Sequence, residues 1–157
     1  LSDQVYAPPK SDIRTPSDEA AQIKLYSPTQ VGLGAFFGGP FAAIYFLKGN
    51  FDALQEFEFS RRVAIIGAVA CVVMLAVIPF LPDNVPNNLF PLFYLIPTVL
   101  TVKKYHPTKK EIQASERYSF QSSWKVLGLS IMWTFVFFFV SLAVALGYEA
   151  LGFIRLD

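Results

Sequence analysis

The chain has 157 residues, of which 54% are hydrophobic and 16% charged, and its mean hydropathy is +0.43. A soluble domain of this size keeps too much surface to hide so many apolar side chains, so the surplus points to a bilayer as a second apolar solvent. A net charge of +1 creates no global field toward nucleic acid, and the single cysteine, Cys71, excludes an internal disulfide.

Residues 1–24, LSDQVYAPPKSDIRTPSDEAAQIK, mix charges with three prolines and show no sustained period, which reads as a polar irregular tail. Residues 25–157 read as an all-α, polytopic transmembrane helical bundle built on four apolar runs. These are Val31–Leu47 with 17 residues, Val63–Leu81 with 19, Leu89–Val102 with 14 and Val126–Tyr148 with 23; none contains Asp, Glu, Lys, Arg or His. A spanning helix needs about 20 apolar residues, so the second and fourth runs are long enough and the first lies near the lower limit. The third is short and is extended back through Pro86 and Asn87 and forward to Tyr105. Its Pro91 falls in the first turn, where the missing N–H costs little, whereas Pro97 predicts a kink.

The stretch VGLGAFFGGPFAAIYFLKGN over residues 31–50, the first run and the three residues after it, raises a choice between a ligand-cradling loop and a packing helix. Gly32-x-Gly34 opens a superficial dinucleotide fingerprint, but that motif works only between a buried strand and a helix N-terminus, and no βαβ pattern follows. Gly34, Gly38 and Ala42 recur every four residues, as do Ala35, Gly39 and Ala43. Such stripes let a second helix backbone approach closely, so Gly34, Gly38, Gly39, Pro40, Ala42 and Ala43 are the candidate packing residues. Pro40 removes a helical hydrogen bond, and the freed carbonyl must find a partner on an apposed helix. The run reads as a kinked span, with a re-entrant hairpin bent at Gly38-Gly39-Pro40 as the alternative. Re-entry would move the N-terminal tail to the other side of the membrane.

Between the first two runs, GNFDALQEFEFSRR offers Asn50 as a helix cap and four apolar contacts for a surface-lying segment. Farther on, Thr108-Lys109-Lys110-Glu111 fits a capping box, opening a helix that could continue into the last span. Four spans with both termini outside place nine basic residues on the cytoplasmic side and four (Lys10, Arg14, Lys24 and Arg155) outside. The basic loops 48–62 and 103–125 are therefore expected in the cytoplasm. Lys103, Lys104, Lys109 and Lys110 are candidates for contact with lipid headgroups or a partner.

Leu25-Tyr26-Ser27-Pro28-Thr29-Gln30-Val31, then Phe37-Gly38-Gly39-Pro40-Phe41-Ala42, then Asn50-Phe51 resembles a group of uncharacterised small bacterial inner-membrane proteins. Leu81-Pro82, Pro86-Asn87 and Pro91 followed by Tyr94 are similar to that group's second hairpin. The resemblance implies a bacterial source, an inner-membrane location and a multi-span architecture. It carries no activity and no site residue.

Chemistry-bearing residues are sparse. No ionisable group interrupts the four runs, and Cys71 lies within one as a small packing residue. His106 has no companion ligand and reads as an exposed loop residue, so no metal, cofactor or catalytic residue is assigned. The expected function is that of a non-enzymatic membrane protein acting by helix packing, as a homo-oligomer or an accessory subunit of a membrane complex. Its partners are then the lipid bilayer and itself or another membrane protein, with no role for nucleic acid. Two alternatives are a small channel or carrier for a neutral ligand, and a sensor or regulator using loop 103–125.

Overall fold

The computed structural model describes residues 22–153 except 83, 87 and 88. The tail up to residue 21, Asn87 and Arg155 thus lie outside the described residues. The elements run β1 (Ile23–Leu25), α1 (Pro28–Ala53), α2 (Phe57–Val77, extended by a 3-10 turn Ile78–Phe80), α3 (Leu89–Tyr105), α4 (Lys109–Ala114), β2 (Tyr118–Phe120) and α5 (Ser123–Ala150). The architecture is mostly helical. Three of the described helical segments, 28–53, 57–80 and 123–150, have the length and composition to cross a membrane. The 17 residues of α3 make a shorter element.

The start of α1 is written locally. Ser27 accepts from the Gln30 N–H, and the Gln30 side chain accepts from the Ser27 N–H; Pro28 comes next, where its lost donor is not missed. Beyond this cap, α1 is not a single straight rod. Gly39 has φ 73° and ψ −166°, outside the helical region, and there the chain turns back. A straight helix would set Tyr26 and Asn50 about 36 Å apart at 1.5 Å per residue. Instead the Asn50 side chain lies 2.8 Å from both the Tyr26 N–H nitrogen and the Tyr26 carbonyl oxygen. The α1 segment is a helical hairpin with an outgoing limb to Gly38 and a return limb from Pro40. The preferred expectation of a kinked span is corrected to the folded-back form. Gly-Gly-Pro permits both shapes, and the cross-hairpin contacts select one of them.

Those contacts begin with small residues. Gly34 faces the ring of Phe46 so closely that a Cβ there would collide with it, and the Phe46 ring meets Tyr26 edge-on at 4.9 Å between centroids. At the corner, a Cβ on Gly38 would come within 3.1 Å of the Ser130 backbone of α5. The Phe37 carbonyl accepts from Thr134 Oγ1 of α5 at 2.6 Å, so a neighbouring helix covers the oxygen beside the break. Gly67 of α2 likewise presses against Ile44 of the return limb.

The hairpin is the hub of the bundle. α2, α3 and α5 each pack on α1, while α2 meets α5 only sparingly. Val31, Ala35, Ala42, Phe46 and Phe51 of α1 are fully buried, whereas α2, α3 and α5 turn rows of large apolar side chains outward. Such faces require an apolar surrounding.

At the other end of the molecule, β1 and β2 pair in parallel with Ile23 opposite Tyr118 and Leu25 opposite Phe120. Gln30 Nε2 donates to the Gln121 carbonyl at 2.8 Å, tying the start of α1 to the start of α5. Ile23 and Lys24, read from sequence as part of the irregular tail, belong to this ladder. The Thr108 capping box forms as expected, but α4 ends at Ala114 and β2 separates it from α5. The anticipated surface segment after Asn50 shrinks to a tight link, with Gln55 at φ 62° and α2 beginning at Phe57.

Gly39→Val should destabilise the purified protein by about 1–2 kcal/mol or more, because a β-branched residue at positive φ is strained. Gly128→Ala, in open space on α5, should leave the midpoint nearly unchanged. Thermal unfolding of both variants in mild detergent checks this pair.

Candidate functional site

Two features at the strand end of the bundle combine into a candidate site: a polar clasp and the mouth of an apolar cleft. The clasp is built on Asn50, which is 1% exposed in the last turns of α1. Its Oδ1 accepts from the Tyr26 N–H and its Nδ2 donates to the Tyr26 carbonyl, as a neighbouring strand would. The reciprocal pair fixes the amide orientation, and Nδ2 then faces His106 Nδ1 at 3.1 Å. Because that nitrogen must accept, the imidazole is neutral and carries its hydrogen on Nε2. Nε2 is buried and has no partner among the described residues.

His106 is only 6% exposed and lies against the Phe51 ring, edge to face, with centroids 4.6 Å apart. The expectation of an exposed loop histidine is therefore corrected. The residue sits just past the end of α3, and the return limb of α1 covers it. Burial pushes its pKa down from 6.5 to about 4. Beside the clasp, Asp52 accepts from the buried Ser60 hydroxyl of α2 and pairs with Lys48, so the end of the hairpin is fastened to α2.

The cleft opens between α2 and α3, which the hairpin keeps apart, and encloses about 590 Å³. Pro40, Ala43 and Ile44 of the return limb form its floor; Cys71 and Met74 stand on the α2 wall and Phe93 on the α3 wall. Among the described residues no charged side chain lines it. Tyr94, Thr98 and Thr101 bring hydroxyls, and that of Thr98 is turned inward to its own helix, donating to the Tyr94 carbonyl at 2.6 Å. A wall of this chemistry solvates hydrocarbon and offers little to a polar substrate.

Past Val63 on α2 and Thr101 on α3, the last lining residues at the strand end, cations and aromatic rings follow. Arg62 lies over Phe59 at 5.8 Å, Phe59 meets Tyr105 across the gap at 5.2 Å, and Lys104 lies over Tyr105 at 5.0 Å.

The residues singled out from sequence thus divide. Gly34, Gly38 and Ala42 are occupied inside the chain's own bundle, Gly39 makes the corner, and Pro40 and Ala43 reach the cleft floor. Lys103 and Lys104 end α3, while Lys109 and Lys110 open α4. Sequence reasoning passed over Phe59, Arg62, Asn50 and His106 as site residues. For Arg62 and Lys104 a signal exists, since both continue the helical register of apolar faces. For Asn50 and His106 it does not, since they are 56 residues apart and meet only through the hairpin.

The depressed histidine pKa gives a signed pH dependence. Below 6.5 the unfolded chain takes up a proton that the folded chain refuses, so this contribution is complete above that pH. It is lost as pH falls toward 4, by about 3 kcal/mol in total. His106→Gln, which keeps an acceptor for Asn50 and does not titrate, should flatten the curve in unfolding measured from pH 7.5 to 4. Asn50→Leu should cost about 3 kcal/mol at neutral pH, because it strands the Tyr26 backbone groups.

No protein-family model, curated protein or solved structure matches this chain.

Proposed function

We propose that this chain is a non-enzymatic integral membrane protein of a bacterial inner membrane that acts by association within the bilayer. It would serve as an accessory subunit or a self-associating unit, and the α2–α3 cleft is where its apolar partner is received. The observation carrying this reading is the cleft itself: a hollow open between two helices, uncharged among its described lining residues, in a bundle whose outward faces are apolar. With the small-residue stripes occupied internally, the cleft offers a partner a recessed apolar surface.

The proposed topology has α2, α3 and α5 crossing and α1 re-entering. Neither limb of α1 is long enough to cross a hydrocarbon core about 30 Å thick. Paired strands β1 and β2 lead into α1 and α5, so both helices start from the same face. Four full crossings would put those strands on opposite faces; three crossings and one re-entrant hairpin put them together. Re-entry also carries Lys10, Arg14 and Lys24 to the side of loops 48–62 and 103–125. Arg155 alone of the 13 basic residues then lies beyond the last crossing. That asymmetry supports a cytoplasmic location for the loops.

Cysteine reporters at Ala20 and Ser115, in a Cys71→Ala background, should both be labelled from the cytoplasmic side; labelling from opposite sides would remove the re-entrant topology. A photo-crosslinking residue at Ile66, on the cleft wall, should form adducts in native membranes that disappear when Ala70→Phe fills the cleft. Failure to form them, or indifference to the filling, would remove the association reading.

A further inference from the structure

We propose that the α2–α3 cleft binds an anionic phospholipid of the adjacent leaflet, with a hydrocarbon chain along the return limb of α1 and the headgroup held between Arg62 and Lys104. The assignment rests on the reading of the cleft as the place where an apolar partner is received, and makes that partner a lipid instead of a second protein.

The wall and the rim make complementary demands. The wall, from Val63 on α2 and Thr101 on α3 inward, is uncharged and suits a hydrocarbon chain. The rim changes character abruptly. Arg62 stands one turn before Ile66 of the wall, and Lys104 one turn beyond Thr101, so both cations extend the cleft-facing sides of their helices. Arg61 and Lys103 fall on other faces by the same register.

Tyr105 and Phe59 bridge the gap between α2 and α3, and each carries its cation over its ring. The two cations therefore flank one aromatic pair, Arg62 from α2 and Lys104 from α3. Among the described residues the one ion pair is Lys48 with Asp52, so neither Arg62 nor Lys104 is neutralised by a carboxylate there. Two uncompensated cations flanking the mouth of a hydrocarbon-lined cleft match a molecule with an anionic head and an apolar tail. Arg62 offers a forked donor to a phosphate, and Lys104 a point charge. An apolar helix from a second protein would fill the wall and leave the charges unused.

The test uses the full chain, purified in mild detergent, stripped of lipid and titrated in separate experiments with phosphatidylglycerol and phosphatidylcholine of the same acyl chains, with binding read by native mass spectrometry. Two headgroup cations should give a preference for phosphatidylglycerol of about 30-fold. Arg62→Gln with Lys104→Gln should reduce it to less than about threefold, a loss of at least tenfold. Lys125→Gln, on α5, from which no described residue lines the cleft, should retain the wild-type preference. Ala70→Phe should weaken both lipids together.

Equal binding of the two lipids by the wild type would overturn the proposal, as would a preference unchanged in the Arg62/Lys104 variant. Binding indifferent to Ala70→Phe would overturn it too, by placing the lipid elsewhere. Cleft adducts to protein at Ile66 together with no lipid preference would remove the lipid and leave the association reading standing. Loss of both signals would remove both.

Discussion

A single amide side chain closes the central element of this protein. Tyr26 follows the last residue of β1, and its N–H and C=O are left uncommitted by the ladder in a place too buried for water to satisfy them. Asn50 presents one donor and one acceptor in the spacing of a peptide group and pairs with both at 2.8 Å. The hairpin is thus closed at its open end by two hydrogen bonds in a low-dielectric setting, where such bonds strengthen one another and where breaking one leaves the other group stranded. His106 makes a third contact with the same amide, linking the end of α3 to the hairpin.

The rest of the bundle is arranged around that closed hairpin. Its two limbs occupy the middle, and three longer or straighter elements lean on it from different sides. Missing side chains make the close approach possible: Gly34 beneath Phe46, Gly38 against Ser130 and Gly67 against Ile44. Because α2 and α3 both seat on the return limb, they are held apart, and the gap becomes the cleft. The same hairpin that fills the core therefore creates the one large hollow described between these helices.

Polarity is segregated along the molecule. The strand pair, both capping boxes, the Asn50 clasp and the basic residues of α2 and α3 gather at one end, while the opposite stretch of α5 is apolar to Tyr148. Phe80 and Tyr148 meet edge-on at 5.3 Å and the Tyr148 hydroxyl reaches the Ala76 carbonyl, which ties α2 to α5 away from the clasp. A hydrocarbon-lined cleft ending at a cationic, aromatic rim is the point where the two characters of the molecule meet.

Much of this was legible residue by residue. The uncharged runs point to an apolar solvent and a helical bundle, because a helix satisfies its backbone groups within its own segment there. Ser27 with Gln30, and Thr108 with Glu111, determine two helix starts, since capping is a contact between residues three apart. Gly38-Gly39-Pro40 marks a break but leaves its angle open, as a kinked span and a hairpin obey the same composition. Only the tertiary structure chose between them, through Asn50 on Tyr26 and Phe46 beneath Gly34. Tertiary contacts also made strands out of segments whose alternation spans only three residues, and buried a histidine just past a helix end. Local spacing governs elements whose partners are a few residues away. Where the partners lie 24, 56 or 91 positions apart, the outcome depends on which chain segments meet in space.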